Sequence, residues 1–460
     1  MLYLRSCTLF FFICIATFVF GQSTLFKINE RVCFIGNSIT MNGQFYHDIH
    51  LYYATRFPDQ KISIFNCGIS GDVASGIINR MDSDILIHQP DWCVLMIGMN
   101  DVNRGLYGKQ KDSIPGIKQQ REQAIVNYKK NVEHIIKTLI GRKVRVILQK
   151  PSVYDQTSTM PAENFYGVND ALHQCGFFLE DMAEKYKLSI VDYWPILNRI
   201  NLQLQQKDSA ATIIGKDRVH PGPVGHQVMA YEFIKGTHAD AVIAAMNIET
   251  KNGSKSTCKN CTLGNIRVTN KRVEFDCIER SIPYPIPPDA IDATKFIPIY
   301  KELDNESVMI KTLPEGQYKL QIDTAIIGIF SSSDLETGIN LSQFTNTPQY
   351  QQAMTVLSAF KDLWKTESAL RSIKYGEYKL LSDLQNKNDI SAVQQLYLMK
   401  KDEYRVQKNP AGGFYESMFK SYMTNKPIEK ELQISQGNYL NRIYILNRPI
   451  KHHYTILKIA

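Results

Sequence analysis

The sequence predicts an α/β protein: an open parallel sheet covered by helices on both faces, followed by a β-rich region that carries a helical insertion. Three observations lead there. In the first half, short apolar runs alternate with stretches of helical period, as strands buried on both faces do when crossover helices join them. From Leu263 onward the runs are short and alternate apolar with polar residues, with prolines between them, which suggests a small antiparallel sandwich. From about 347 to 440 the pattern is that of long charged helices, yet the last run, Tyr454–Ile459, alternates again, so the helices interrupt the sandwich rather than follow it.

Taken in order, Val32–Ile35 is the first strand and ends at Gly36. Tyr46–Arg56 is a helix, Ile62–Asn66 the second strand, Ser75–His88 a helix and Trp92–Ile97 the third strand. Gln119–Ile140 is a long amphipathic helix with Ile125, Tyr128, Val132, Ile135, Ile136 and Leu139 near helical spacing. Val144–Leu148, a helix over Asn169–Lys187, Ser189–Tyr193 and a helix over Pro223–Met246 complete the α/β region. Ile266–Val268, Val273–Phe275, Tyr318–Ile322 and Ile326–Phe330 are the sandwich strands. The expected organisation is a targeting segment over 1–21, an α/β domain over 25–247, a polar linker over 248–262 and an accessory domain over 263–460.

A chain of 460 residues is too long for one ordinary core. Its 53 basic and 45 acidic residues are dispersed, a solvated surface rather than the concentrated footprint of a nucleic-acid binder. Arg5, the apolar stretch Cys7–Phe20 and the small residue Gly21 before Gln22 make a signal peptide, too short to favour a spanning helix. The expected mature protein is exported, periplasmic or extracellular, without stable membrane insertion. Cys7 and Cys14 lack the surroundings of a lipoprotein box. Cys33, Cys67 and Cys93 lie in apolar runs as inert thiols. Cys258-Lys259-Asn260-Cys261 with Cys277 leaves a disulfide, free thiols and a zinc half-site open.

Open parallel sheets bind ligands beyond the carboxyl ends of their strands, so the residues that follow each strand matter most. After the first come Gly36-Asn37-Ser38; after the second, Asn66-Cys67-Gly68-Ile69-Ser70-Gly71-Asp72; after the third, Gly98-Met99-Asn100-Asp101. Asp217-Arg218-Val219-His220 precedes the closing helix. A serine, a histidine and an aspartate brought together make an activated nucleophile. In this ordered set, over about residues 28–247, the chain resembles the SGNH hydrolases, or GDSL-type esterases. The resemblance implies a flavodoxin-like three-layer α/β/α domain, with Ser38 as nucleophile, His220 as general base and Asp217 as its orienting carboxylate. It assigns the oxyanion hole to the Ser38 and Gly71 backbone N–H groups and the Asn100 side chain. Asn37 departs from the family pattern, which has aspartate before the serine. Gly316–Asp323 and Gly338–Leu341 resemble the accessory region of large secreted bacterial members.

Each residue taken singly has a plainer reading. Ser38 would more often be a helix N-cap, Asn100 and Asp101 turn residues, Asp72 a loop or cap residue, and His220 a surface histidine. The ordered set outweighs those readings. His47, His50, His88, His173 and His226 have no comparable context and read as structural. There is no Gly-x-Ser-x-Gly elbow, no His-Glu-x-x-His and no phosphate loop. No cofactor or metal is implied. By family analogy the expected substrate is an acylated carbohydrate or a small ester, the reaction an O-acetyl ester hydrolysis. A lipase or thioesterase-like acyl hydrolase is the runner-up, and a non-catalytic glycan-binding protein the reading from another class. Oligomeric state stays open. With all four blocks before residue 247, the later residues are expected to shape access rather than supply chemistry, and Trp364 to pack in a core rather than line a sugar site.

Overall fold

The computed structural model describes residues 24–251, 255–409 and 411–459; the signal peptide expected over 1–21 lies outside them. Strands β1 (Arg31–Gly36), β2 (Ser63–Gly68), β3 (Trp92–Met96), β4 (Arg145–Gln149) and β5 (Ser189–Val191) form one parallel sheet in the order β2-β1-β3-β4-β5. This is the doubly wound order of a flavodoxin-like fold, with its switch point between β1 and β3. The interior strand β1 is apolar and buried from Val32 to Ile35 because both its faces are covered. Val32 and Phe34 face one layer of the core, Cys33 and Ile35 the other.

The helices of this region are α1 (Ser38–Asn42), α2 (Gln44–Arg56), α3 (Ala74–Asn79), α4 (Ile117–Gly141), α5 (Val168–Tyr186), α6 (Trp194–Gln205) and α7 (Pro223–Gly236). Tyr128, Val132, Ile135, Ile136 and Leu139 of α4 are buried, as their spacing predicts. Each such side chain contributes about 1.5–3 kcal/mol when fully withdrawn from water.

Two expected helices change. The stretch Ser75–His88 is not one helix: after α3 it passes through a wide turn over Met81–Ile85 and a tight turn over Leu86–His88. Arg80, Asp84 and their partners pin this irregular segment, as described below. The closing helix stops at Gly236 rather than Met246, and Val242–Glu249 is a strand, β6, whose alternating burial shows a two-faced role.

Strand β6 starts the second half. It is followed by β7 (Lys255–Lys259), β8 (Cys261–Val268) and β9 (Arg272–Glu279). The stretch 248–262, expected as a linker, therefore carries strand. Its polar residues reflect an exposed edge: all five residues of β7 are exposed. Then come α8 (Ile299–Glu302), β10 (Asn305–Lys311), β11 (Gln317–Ile322), β12 (Ala325–Ser331), α9 (Ser332–Thr337) and β13 (Ile339–Asn340). Helices α10 (Pro348–Tyr375), α11 (Ile390–Val406), α12 (Gly412–Asn425) and α13 (Glu429–Leu446) lead to the last strand, β14 (Lys451–Lys458). The sheets β13-β10-β6-β7 and β12-β11-β14-β9-β8 share one apolar core, a sandwich. β14 lies between β11 and β9, so α10–α13 are an insertion in the sandwich.

The two halves share a core. Eleven of the 13 residues of α2 are buried, because the sheet covers one side and the second half the other. Tyr284, Ile286, Val356 and Phe360 belong to the same cluster as Phe34 and Phe45. The Arg56 side chain of α2 donates to Ser281 Oγ at 2.7 Å and to the carbonyl of Asp240 at 2.8 Å. Among the described residues no helix is long and apolar enough to cross a membrane.

Candidate active site

Ser38 opens α1 directly after β1. A serine in this setting often caps the helix through its hydroxyl. Here Asn37 does so: its Oδ1 accepts from the Ile39 N–H at 3.1 Å. The asparagine that departs from the family pattern thus leaves the Ser38 hydroxyl free of the cap. Ser38 Oγ instead lies 2.7 Å from His220 Nε2. Gly36 permits the tight strand-to-helix turn, since a Cβ there would stand 2.3 Å from Thr40 Oγ1 and 2.6 Å from the Met96 carbonyl oxygen.

Asp217 and His220 occupy one turn before α7. Asp217 Oδ1 accepts from the Val219 and His220 N–H groups, each at 3.0 Å, and Oδ2 bonds to His220 Nδ1. Burial alone would raise the Asp217 carboxyl. The His220 ring and the two backbone donors outweigh it and hold the group well below the usual carboxylate range. A carboxylate at Nδ1 favours the tautomer with its proton there, which leaves Nε2 to accept from the serine. The arrangement can therefore move a proton from Ser38 Oγ to His220. Arg218, between the two, adopts a left-handed φ of 66°.

The remaining predicted residues line the same edge. Gly71 has φ 72°, and no atom stands within 4 Å of where its Cβ would be. The backbone there faces open space. Asn100 Nδ2 donates to the Asp72 carbonyl at 2.9 Å, and its Oδ1 accepts from Arg104 Nη1 at 3.5 Å. One N–H of the amide is thereby used and the other is available to a ligand. Asp101 Oδ1 accepts from the Ala74 N–H at 2.7 Å, joining the loop after β3 to α3, and burial pushes this carboxyl up to about 6.

The chain belongs to a family by two matches. Residues 34–228 match the GDSL-like Lipase/Acylhydrolase family. A gut microbial diltiazem-metabolizing enzyme of solved structure is 30% identical, with a TM-score of 0.84 over 95% of this chain and 99% of that one. This protein is a GDSL-like acylhydrolase of the SGNH superfamily, and by family a carboxylic ester hydrolase. The acetylxylan esterase of Geobacillus stearothermophilus is 25% identical to it over 222 residues, 45% of this chain and 93% of that protein.

Sequence reasoning missed several residues of the acylhydrolase site. The buried Arg218 donates to the carbonyls of Ala162, Asp155, Ser158 and Met160 at 2.8–3.0 Å. It ties the turn of Asp217 and His220 to the loop after β4. Beneath the loop after β2, Arg80 bridges Asp72 and Asp84, and Arg371 and Lys379 reach in from the helical insertion. Asp72 is thus no simple loop residue; it is a buried ion-pair partner. The spacing of Arg80 and Asp84, four apart, was the available signal for that pair.

His47, His50, His88, His173 and His226 have partners other than Ser38. His47 Nε2 is 2.6 Å from Glu367 Oε2, and its ring stacks on Trp364 at 4.8 Å, so this tryptophan packs between the halves. Burial pushes His50 and His226 down to about 3. His173 stacks on Trp194, and His88 on Phe65. Cys258, Cys261 and Cys277 carry free thiols, and Cys258 Sγ donates to the Cys261 carbonyl at 3.1 Å. Among the described residues no group of three or more His, Cys, Asp or Glu is arranged to hold a metal.

Proposed function

We propose that this protein is an exported serine esterase that removes O-acetyl groups from carbohydrates. Ser38 Oγ attacks the ester carbonyl while His220 Nε2 takes its proton. The carbonyl oxygen becomes an oxyanion that accepts hydrogen bonds from the Ser38 and Gly71 N–H groups and the Asn100 amide. His220 then gives the proton to the leaving sugar oxygen, and the C–O bond breaks to leave an acetyl-serine. Water, deprotonated by His220, releases acetate and restores Ser38. Asp217 fixes the imidazole tautomer and stabilises its positive charge. No step calls on a metal.

The observation that carries this reading is the unbroken chain from Ser38 Oγ through His220 to Asp217. Support for a carbohydrate ester comes from the similarity to an acetylxylan esterase and from the open setting of the site. The His220 and Asp217 side chains are 45% and 54% exposed, which suits a bulky polar substrate better than a long acyl chain that needs a dry channel. The test is a series of p-nitrophenyl esters of increasing chain length, run beside acetylated xylan, O-acetylated sialosides and diltiazem. Acetate esters should be cleaved at least tenfold faster than octanoate, and an acetylated glycan should be deacetylated. A preference for octanoate or longer would mean an acyl hydrolase of lipase type. No turnover of any ester by folded protein would mean a binding protein.

A further inference from the structure

We propose that Arg371, on the helical insertion, is a positioning residue for the oxyanion hole. The proposal rests on the reading of Ser38, Gly71 and Asn100 given above.

Arg371 lies on α10, about 300 residues from the loop it serves, and is 3% exposed. Its Nε donates to the Gly68 carbonyl at 2.5 Å, and Nη1 donates to the Asn66 carbonyl at 2.9 Å. Nη1 and Nη2 also hold the two carboxylate oxygens of Asp84, at 2.8 and 2.6 Å. This planar fork matches a bidentate carboxylate on one side and two loop carbonyls on the other, which a lysine cannot do.

Two routes lead from that fork to the proposed oxyanion donors. The first is along the backbone. Gly68 begins the turn that ends at Gly71, and the Ile69 N–H donates to the Gly36 carbonyl at 3.1 Å, so fixing Gly68 fixes where the Gly71 N–H stands relative to Ser38. The second is through charges. Asp84 also binds Arg80 Nη1 at 2.5 Å, and Arg80 Nε binds Asp72 Oδ2 at 2.9 Å. The Asp72 carbonyl is the acceptor that orients the Asn100 amide. Lys379 Nζ closes the far end on Asp72 Oδ1 at 3.1 Å. Arg80, Arg371 and Lys379 thus hold Asp72 and Asp84 in one cluster, all but Lys379 almost fully buried, so the loop after β2 is fixed from below by ion pairs. Catalysis thereby depends on the helical insertion, although no residue of the insertion needs to touch substrate.

The test uses full-length protein and p-nitrophenyl acetate. Arg371→Met should lower kcat by about 10- to 100-fold with KM within threefold, a fraction of what loss of a whole oxyanion donor costs. Binding of a boronic acid that adds to Ser38 should weaken by the same factor, since its tetrahedral adduct uses the same donors. Added guanidinium should restore part of the kcat, and Arg371→Lys should not. A residue that only stabilised the fold would lower the melting temperature but leave kcat and boronate affinity of the folded fraction unchanged; that result overturns the proposal. Should Arg371→Met not fold, Lys379→Met removes a single contact at the half-exposed end. It should still lower kcat severalfold with boronate affinity following, and an unchanged kcat there would overturn the proposal. Ser38→Ala separates the two readings. If it is inactive while Arg371→Met is unaffected, only the positioning role falls; if it is fully active, the site itself was misread.

Discussion

Different physics holds the Ser38–His220–Asp217 chain and the Arg371–Asp84–Arg80 cluster. The first is on the surface, and its Asp217–His220 half is local. Asp217 and His220 are three residues apart, bonded within one turn and about half exposed. The second is buried, and its ion pair between Arg371 and Asp84 spans 287 positions. Exposed pairs are screened and contribute little to stability, so the surface chain adds little to holding the fold, which fits the proposed role in proton transfer. Buried pairs are costly to desolvate and severely destabilising when one partner is lost, so the lower cluster is arranged for geometry. On the proposed reading, a surface that binds and releases substrate is held in register by a buried interior.

The sharpest way to break this comparison is at the surface. Ser38→Ala and His220→Ala should each lower kcat by about 10⁴-fold or more while the melting temperature stays near that of the wild type, because each removes a member of one nucleophile unit. Asp217→Asn should be less damaging than either. Steady-state kinetics with calorimetry checks this. Wild-type-like turnover in folded Ser38→Ala would end the assignment.

The same contrast explains what the sequence could reveal. Gly36-Asn37-Ser38, Gly71, Asn100 and Asp217-x-x-His220 each stand at the end of a strand or before a helix, so a one-dimensional pattern finds them. The parallel sheet was legible because its strands are apolar on both faces, and β14 because it alternates. The span 248–262 misled because an exposed edge strand has the composition of a linker. The helix expected to reach Met246 misled because the apolar residues of β6, Val242–Glu249, follow α7 after a short turn. Arg371 was invisible for a deeper reason. An arginine on a charged helix is normally solvated, and only the tertiary fold turns this one inward. The expectation that the second half merely shapes access meets the contacts of Arg371 and Lys379 with the loop after β2.

The second prediction lies between the two regions. Arg218 sits in the surface turn but buries its guanidinium against four carbonyls. Arg218→Met would leave those acceptors without donors, and a hydrogen bond to a charged group is worth about 1.5–3 kcal/mol. With partial relaxation, the loss should be about 3 kcal/mol in chemical denaturation. Freed from the loop after β4, the turn should hold His220 less well, so kcat should fall about tenfold with KM little changed. A loss of stability without any change in kcat would show that the turn keeps its shape through Asp217 alone.

The last prediction uses acid to compare the two carboxylates, both of which the fold holds below their ordinary range. For Asp84, burial would raise the carboxyl, but Arg371 first and Arg80 next outweigh it. A depressed carboxyl contributes stability that is present above its unfolded value and lost as pH falls through its folded one. Asp84 should therefore resist protonation until strongly acid pH, and the buried cluster should persist to that point. In Arg371→Met the largest opposing charge is gone while burial remains, so Asp84 takes up its proton at higher pH. The midpoint of acid unfolding, followed by far-ultraviolet circular dichroism, should move upward in pH. Asp217→Asn also removes a depressed carboxyl, but this one is half exposed and its bonds are made within a single turn. Its acid midpoint should stay close to that of the wild type. Equal shifts in the two variants would mean that the buried cluster holds its loops no more firmly than the surface turn holds its own.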